Sequence, residues 1–202
     1  KDLRHKIESF KETQGLLEQL NNRQIIQPRH WKEIMDFTGK NINFDEHVML
    51  LGDVLALELW NHEERLEEVL FSAAKEAEIE KKLKEINLEW DAQPYARTFV
   101  FGDFKKRGHI ILQGADIQDI QERLEETQVR VNGMVSSRFS KPFKDEVTKW
   151  AEKISVTVDN IERWLLVQGM WMSMEAVFAG GGDIAKHLVQ ESKLFAQTDK
   201  RW

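Results

Sequence analysis

Along residues 143–178 the large side chains recur at helical steps: Phe143, Val147, Trp150, Ile154, Val158, Ile161, Trp164 or Leu165, Trp171, Glu175 and Phe178. A period near 3.6 residues marks one face of a helix, and that face must be buried against another element. Uninterrupted from Pro142, the segment makes one helix of about 37 residues and about 55 Å, at roughly 1.5 Å per residue. Its weak points are Gln168 and the neighbouring Gly169. A mid-helix glycine costs about 1 kcal/mol relative to alanine, which permits a bend without requiring a break. Gly180-Gly181-Gly182 closes the helix, and Asp183 is placed to cap the next short one.

The rest of the chain follows the same rule with one exception. Its three prolines, Pro28, Pro94 and Pro142, sit where helical patterns start or stop, as residues without an amide donor should. Leu3, Ile7, Phe10, Leu17 and Leu20 define a first helix. Pro28 opens a short one carrying Trp31, Ile34 and Met35, with Gly39 as a left-handed terminator. Residues 44–59 read as a connector with one helical turn near 51–57. From residue 61 to about 93, Leu66, Val69, Leu70, Ala73 and Ala77 form one stripe. Ile79, Leu83, Ile86 and Trp90 form a second, slightly rotated one. The rotation predicts a kink or break near residues 74–78, in a helical hairpin arm or a long rod.

Residues 97–113 are the exception. Phe99 and Phe101 alternate with Val100 and Gly102, a polar tip spans 103–108, and His109-Ile110-Ile111-Leu112 follows. This is the pattern of a β-hairpin. A lone hairpin is marginal in water, so it must rest on the helices. After Gly114, Ile117, Ile120, Leu124, Val131 and Met134 or Val135 mark another amphipathic helix, with Asp116 near its start, where the helix dipole favours a carboxylate. The expected fold class is mainly α: an elongated multi-helix bundle or rod with one small β-hairpin inserted. Its parts are an N-terminal helical part (1–95), the hairpin insert (96–114) and a C-terminal helical part with the long helix (115–202). No repeat of fixed length occurs.

Composition narrows the chemistry. The formal charge is −6 over 202 residues, without the concentrated basic face that duplex nucleic acid requires. With no cysteine, disulfide scaffolds, thiolate zinc sites and cysteine nucleophiles are excluded. The longest near-apolar stretch, residues 48–60, contains Gly52, Asp53 and Glu58 and falls short of the about 20 apolar residues of a membrane span. The chain opens at Lys1 and closes at Trp202 in mid-pattern, as a piece of a longer polypeptide would.

No motif supplies a reaction centre. GGGDIAK (180–186) lacks the Gly-Lys-Ser/Thr of a phosphate loop, and Gly39-Lys40 is followed by Asn41; both read as helix punctuation. The six histidines form no HExxH, since His62-Glu63-Glu64-Arg65 has no second histidine, nor the paired Glu-x-x-His motifs of a di-iron bundle. His30, beside Trp31, reads as a structural donor. Glu63, Glu64, Glu67 and Glu68 lie on a polar helix face among basic residues, the spacing of solvated i,i+4 pairs. No catalytic, cofactor-binding or metal residue is therefore nominated, and no cofactor is expected in this segment. The seven tryptophans are Trp31, Trp60, Trp90, Trp150, Trp164, Trp171 and Trp202. Trp150 and Trp164 read as core bolts between helices; Trp60 and Trp202 fit a core or a partner surface equally.

The order of several segments then stops being generic. PRHWKEIM (28–35), LLGDVLAL (50–57) and the charged helix ending at Trp90 come first. SSRFSKPF (136–143), Trp150, WLLVQGMW (164–171), MEAVF (174–178), GGGDIAKHLVQESKLF (180–195) and DKRW (199–202) follow. Together these resemble the linker region of dynein heavy chains, from about Asn22 to Trp202. KRGHIILQG before an acidic helix, with GGDIAK later, is most similar to the axonemal outer-arm class. The resemblance implies a mechanical element, a bent helical rod over a ring of AAA+ modules. It would swing as the first module binds and hydrolyses ATP with Mg²⁺, moving the tail relative to the microtubule-binding stalk.

It further implies intermediate and light chains on the tail, a place in the ciliary or flagellar axoneme after assembly in the cytoplasm, and no nucleic-acid or membrane partner. A lever also needs a bending site, for which the region 74–78, Gly169 and the triple glycine are candidates. Two other classes stay open on the residues alone. A spectrin-like or coiled-coil scaffold would show a repeat or sustained heptad. A helical enzyme or ligand-binding bundle would show polar groups converging in an apolar pocket.

Overall fold

The computed structural model describes residues 2–43, 49–90, 99–112, 114–179 and 182–202. The side chains of residues 2, 3, 5, 6, 9, 10, 12, 13 and 114–116 lie outside that description. So do the expectations placed on Leu3, Phe10, the Asp116 carboxylate, Pro94, Gly180 and Gly181. The element order is α1 (Asp2–Leu20), α2 (Pro28–Thr38), α3 (Leu51–Ala56), α4 (Glu63–Trp90), β1 (Phe101–Asp103), β2 (His109–Leu112), α5 (Gly114–Val135), α6 (Lys144–Phe178), α7 (Asp183–His187) and α8 (Val189–Arg201). Short 3₁₀ segments occupy Leu59–Asn61 and Arg138–Phe143. The protein is mainly α with one antiparallel hairpin, as its periodicity predicts. None of the described helices is long and apolar enough to cross a membrane.

The chain divides into two compact units: Lys1–Glu85 with Ser136–Lys144, and Ile86–Val135 with Asp145–Trp202. In the first unit Leu20, Ile26, Trp31, Ile34, Val54, Leu57, Leu59, Leu66, Val69, Leu70 and Ala73 form one buried cluster. Each aliphatic side chain fully removed from water there contributes about 1.5–3 kcal/mol. Pro28 stands at the first turn of α2, and Gly39 (φ 66°) ends it in the left-handed region. Lys40 closes this corner from outside, its Nζ donating to the Ala56 carbonyl at 2.7 Å and pairing with Glu58 at 3.0 Å. The second 3₁₀ segment packs by its rings: Phe139 meets Phe71 edge-on at 5.8 Å, and the Arg29 guanidinium lies 5.4 Å from the Phe143 ring centroid. Pro142 thus lies inside that segment rather than opening α6, and α6 has 35 residues, about 52 Å at roughly 1.5 Å each.

Of the kink or break expected near residues 74–78, a break does not occur: α4 is continuous from Glu63 to Trp90. The two stripes are one stripe whose middle member is charged. Leu66, Val69, Ala73, Glu76, Ile79, Leu83 and Ile86 follow at steps of three and four. Counting apolar residues alone leaves a gap at Glu76. Its carboxylate accepts from Arg29 Nε at 2.6 Å and from His30 Nε2 at 3.0 Å. His30 Nδ1 accepts the Gln27 backbone N–H at 3.0 Å, which leaves the ring proton on Nε2, aimed at Glu76. His30 is 2% exposed and serves as the structural donor foreseen for it.

In the second unit α5 buries Ile117, Ile120, Leu124, Thr127, Val131 and Met134, while Val135 faces out. Polar side chains tie the end of α4 to its neighbours here. Trp150 Nε1 donates to Asn87 Oδ1 (2.9 Å), Trp90 Nε1 to Thr127 Oγ1 (3.1 Å), and Arg130 pairs with Glu89 at 2.6 Å. Trp150 is buried, as expected. Trp164 is not: it is 47% exposed, because α6 turns its Ile161, Gln168 and Trp171 face inward and carries Trp164 toward one side of it.

Replacing Glu76 by Ala strands the buried His30 N–H. An orphaned buried donor costs about 1–3 kcal/mol, so Glu76→Ala is expected to lower unfolding stability by that amount in urea titrations. His30→Ala combined with Glu76→Ala is expected to cost less than the sum of the two singles.

Candidate functional site

The hairpin of the second unit is seated on α6 and α8 by hydrogen bonds and ion pairs. The polar part of this seat is Gln168. The Leu112 N–H donates to Gln168 Oε1 at 2.7 Å, and Gln168 Nε2 donates to the Leu112 carbonyl at 3.1 Å. One side-chain amide thus offers β2 the donor and acceptor that a further strand would supply. Both residues are buried, so neither bond has water as a substitute. The residue that reads as a flaw in the helical stripe is the hairpin's anchor.

Trp171, Glu175 and Phe178 continue the same face of α6 toward its C-terminus. Trp171 is 1% exposed and sits among Phe104, Phe195 and Trp202. Phe104 tilts against it at 5.0 Å, Trp202 stacks on it at 5.1 Å with 12° between planes, and Phe178 stacks on Phe195 at 5.7 Å. The Trp171 Nε1–H donates to Asp199 Oδ1 at 3.1 Å. Glu175, also buried, is held by Lys105 Nζ and lies 4.0 Å from Arg107. Arg107 spans both helices: its guanidinium pairs with Asp199 at 2.8 Å and lies 5.3 Å from the Trp171 ring centroid. The hairpin tip is therefore a basic strap across α6 and α8.

The strap is shaped by its own loop. β1 and β2 pair Phe101 with Leu112, Gly102 with Ile111 and Asp103 with His109, with a bulge at Gly102/Asp103. The Asp103 carboxylate accepts the N–H groups of Lys106 (3.0 Å) and Gly108 (2.8 Å), a side-chain turn that asparagine and aspartate make readily. Lys105 (φ 51°), Lys106 (φ 62°) and Gly108 (φ 107°) all have positive φ. For the two lysines this is a sparsely populated conformation held by its surroundings. It aims Lys105 and Arg107 at Glu175 and Asp199.

Residues weighed for chemistry lie elsewhere. Glu63, Glu64, Glu67 and Glu68 are exposed along α4. Among the described residues no three histidine, aspartate or glutamate side chains converge as a metal site would need. Asp183 is not the cap it was expected to be: Gly182 takes that position, and Asp183, in the first turn of α7, pairs with Lys186 at 3.2 Å. Lys105, Arg107 and Asp199 carry no sequence signal of their own. The available clue is Glu175, a carboxylate on an apolar stripe, which requires a distant cation.

The whole chain, residues 1–202, matches the family described as Dynein heavy chain, N-terminal region 2. The chain belongs to the dynein heavy chain family. It is 38% identical over 199 residues to the dynein gamma chain of the flagellar outer arm of Chlamydomonas reinhardtii, covering 98% of this chain and 4% of that protein. It is 36% identical over 201 residues to human dynein axonemal heavy chain 8, covering all of this chain and 4% of that one. With dynein axonemal heavy chain 5 of Rattus norvegicus the identity is 34% over 201 residues, all of this chain and 6% of the relative. The chain thus spans a small fraction, 4–6%, of the heavy chains it matches.

Gln168→Met keeps the length of the side chain and removes both bonds to Leu112. At about 1–3 kcal/mol for each buried group left unpaired, it is expected to lower the urea midpoint. It should also speed hydrogen exchange at the Leu112 amide well beyond the change at amides of the first unit.

Proposed function

We propose that this chain is the linker of an axonemal dynein heavy chain. In this reading it is the lever that relays ATP-driven changes of a downstream AAA+ ring into microtubule-based movement, as in ciliary or flagellar beating. The observation that carries the reading is the family match along all 202 residues. The strap gives it a physical basis: close-packed interiors deform little under load, and the hairpin braces the C-terminal half of α6 at Gln168, Trp171 and Glu175. ATP and Mg²⁺ belong to the ring in this reading, and the segment contributes no reacting group. Its partners are the ring of the same heavy chain, the intermediate and light chains on the tail, and microtubules through the stalk. The relatives' names, axonemal and flagellar, favour a place in the axoneme. Exposed apolar residues on α6, among them Leu166 (63%), Met170 (48%) and Met174 (40%), suit a piece that meets other parts of a larger body.

Gly169 is the bending site this reading favours. α6 is continuous through it, a Cβ there would meet nothing within 4 Å, and Ser173 Oγ donates to its carbonyl at 2.9 Å. Back-bonding of that kind favours helix bending. Gly169→Ala is expected to stabilise the chain by about 0.5–1 kcal/mol while slowing microtubule gliding by the full heavy chain. Lys105→Ala with Arg107→Ala should also slow gliding, with ATP hydrolysis retained, because the brace and not the reaction is removed. Gliding that stays unchanged in both variants would refute the lever. The 202-residue chain alone is expected to show no measurable ATP binding in calorimetry; stoichiometric tight binding would point instead to a ligand-binding bundle.

A further inference from the structure

Beside the strap, on the second unit, lies an open groove of about 860 Å³ whose lining includes Phe101, His109, Arg163, Trp164, Arg201 and Trp202. Three features set it apart. First, among the described residues no aspartate or glutamate side chain lines it, although the chain as a whole is acidic. Second, its two arginines are unengaged. The other described arginines have an ion pair, a ring or another partner: Arg4 with Glu8, Arg29 with Glu76, Arg107 with Asp199, Arg123 with Asp119 and Arg130 with Glu89. Arg65 and Arg138 lie over Phe37 and Phe139, and Arg23 is also engaged. Among the described residues Arg163 and Arg201 alone have no such partner. Third, the guanidiniums share the groove with Trp164, half-exposed and tilted against Phe101 at 5.9 Å.

Unpaired arginine forks recognise carboxylates bidentately, and tryptophan and arginine are both enriched where partners anchor. His109 adds a third polar group. Its Nδ1–H donates to the Phe101 carbonyl at 2.8 Å, which fixes the tautomer and leaves Nε2 free. The groove is open to solvent rather than enclosed, so it admits a chain segment. We propose that it docks an acidic peptide segment. Glutamate or aspartate side chains of the segment engage Arg163 and Arg201, and an apolar side chain lies against Trp164 and Phe101. This stands apart from the lever reading, since it concerns only what the groove binds.

The test uses the 202-residue chain and two synthetic fluorescent peptides with the same leucine and phenylalanine positions, one filled with glutamate and one with lysine. Anisotropy titrations are expected to show saturable binding of the glutamate peptide only, weakening as salt shortens the reach of the charges. Arg163→Glu with Arg201→Glu should lower that affinity at least about tenfold, and Trp164→Ala should also lower it. Both arginines are exposed, so unchanged circular dichroism and thermal midpoint are expected for the double variant. The proposal is overturned by any of four results: no saturable binding, equal binding of the lysine peptide, wild-type affinity in the double variant, or displacement of the peptide by inorganic phosphate or a short single-stranded oligonucleotide at lower concentration.

Discussion

A hydrogen-bonding group placed on the buried face of a helix must be met by a partner, because inside the protein no water replaces it. In this chain that constraint decides where segments dock. Gln168 meets both backbone groups of Leu112, Glu175 meets Lys105, Glu76 meets Arg29 and His30, and Thr127 meets Trp90. Apolar burial supplies the larger stabilisation, but it is indifferent to register. A helix stripe of leucines accepts a neighbour displaced by a turn; a carboxylate at one position on that stripe does not.

This explains why the sequence reveals the elements better than their junctions. Trp31, Ile34 and Gly39 sit at their expected places on α2 and at its end, and the alternation around Phe101 and Ile110 is the hairpin it promises. These signals are local, set by backbone geometry and the periodicity of burial. Asp183 and Pro142 differ from expectation for local reasons, at a helix start and in a 3₁₀ segment; the other misread positions depend on distant partners. The rotation that predicts a kink or break near residues 74–78 comes from leaving Glu76 out of the stripe, because an apolar count omits a charge that a far arginine neutralises. Trp164 reads as core because on one helix a wheel cannot say which edge of the stripe a neighbour covers. Gln168 marked a flaw when considered within α6 alone and became an anchor once β2 was beside it.

The strap itself was illegible for the same reason. Lys105 and Arg107 are two basic residues in a polar tip, and nothing about them singles out α6 or α8. Glu175 was the only readable half of the arrangement, on the apolar stripe yet charged. Sequence reasoning that asks of every polar residue on an apolar stripe what would satisfy it recovers the existence of such junctions, though not the identity of the other side.

The left-handed backbone at Lys105 and Lys106 has a mechanical corollary. The Asp103 carboxylate holds that backbone through Lys106 and Gly108, independently of Glu175 and Asp199. The tongue of the latch therefore keeps its bend when open, and it can close again without first paying to order its own loop.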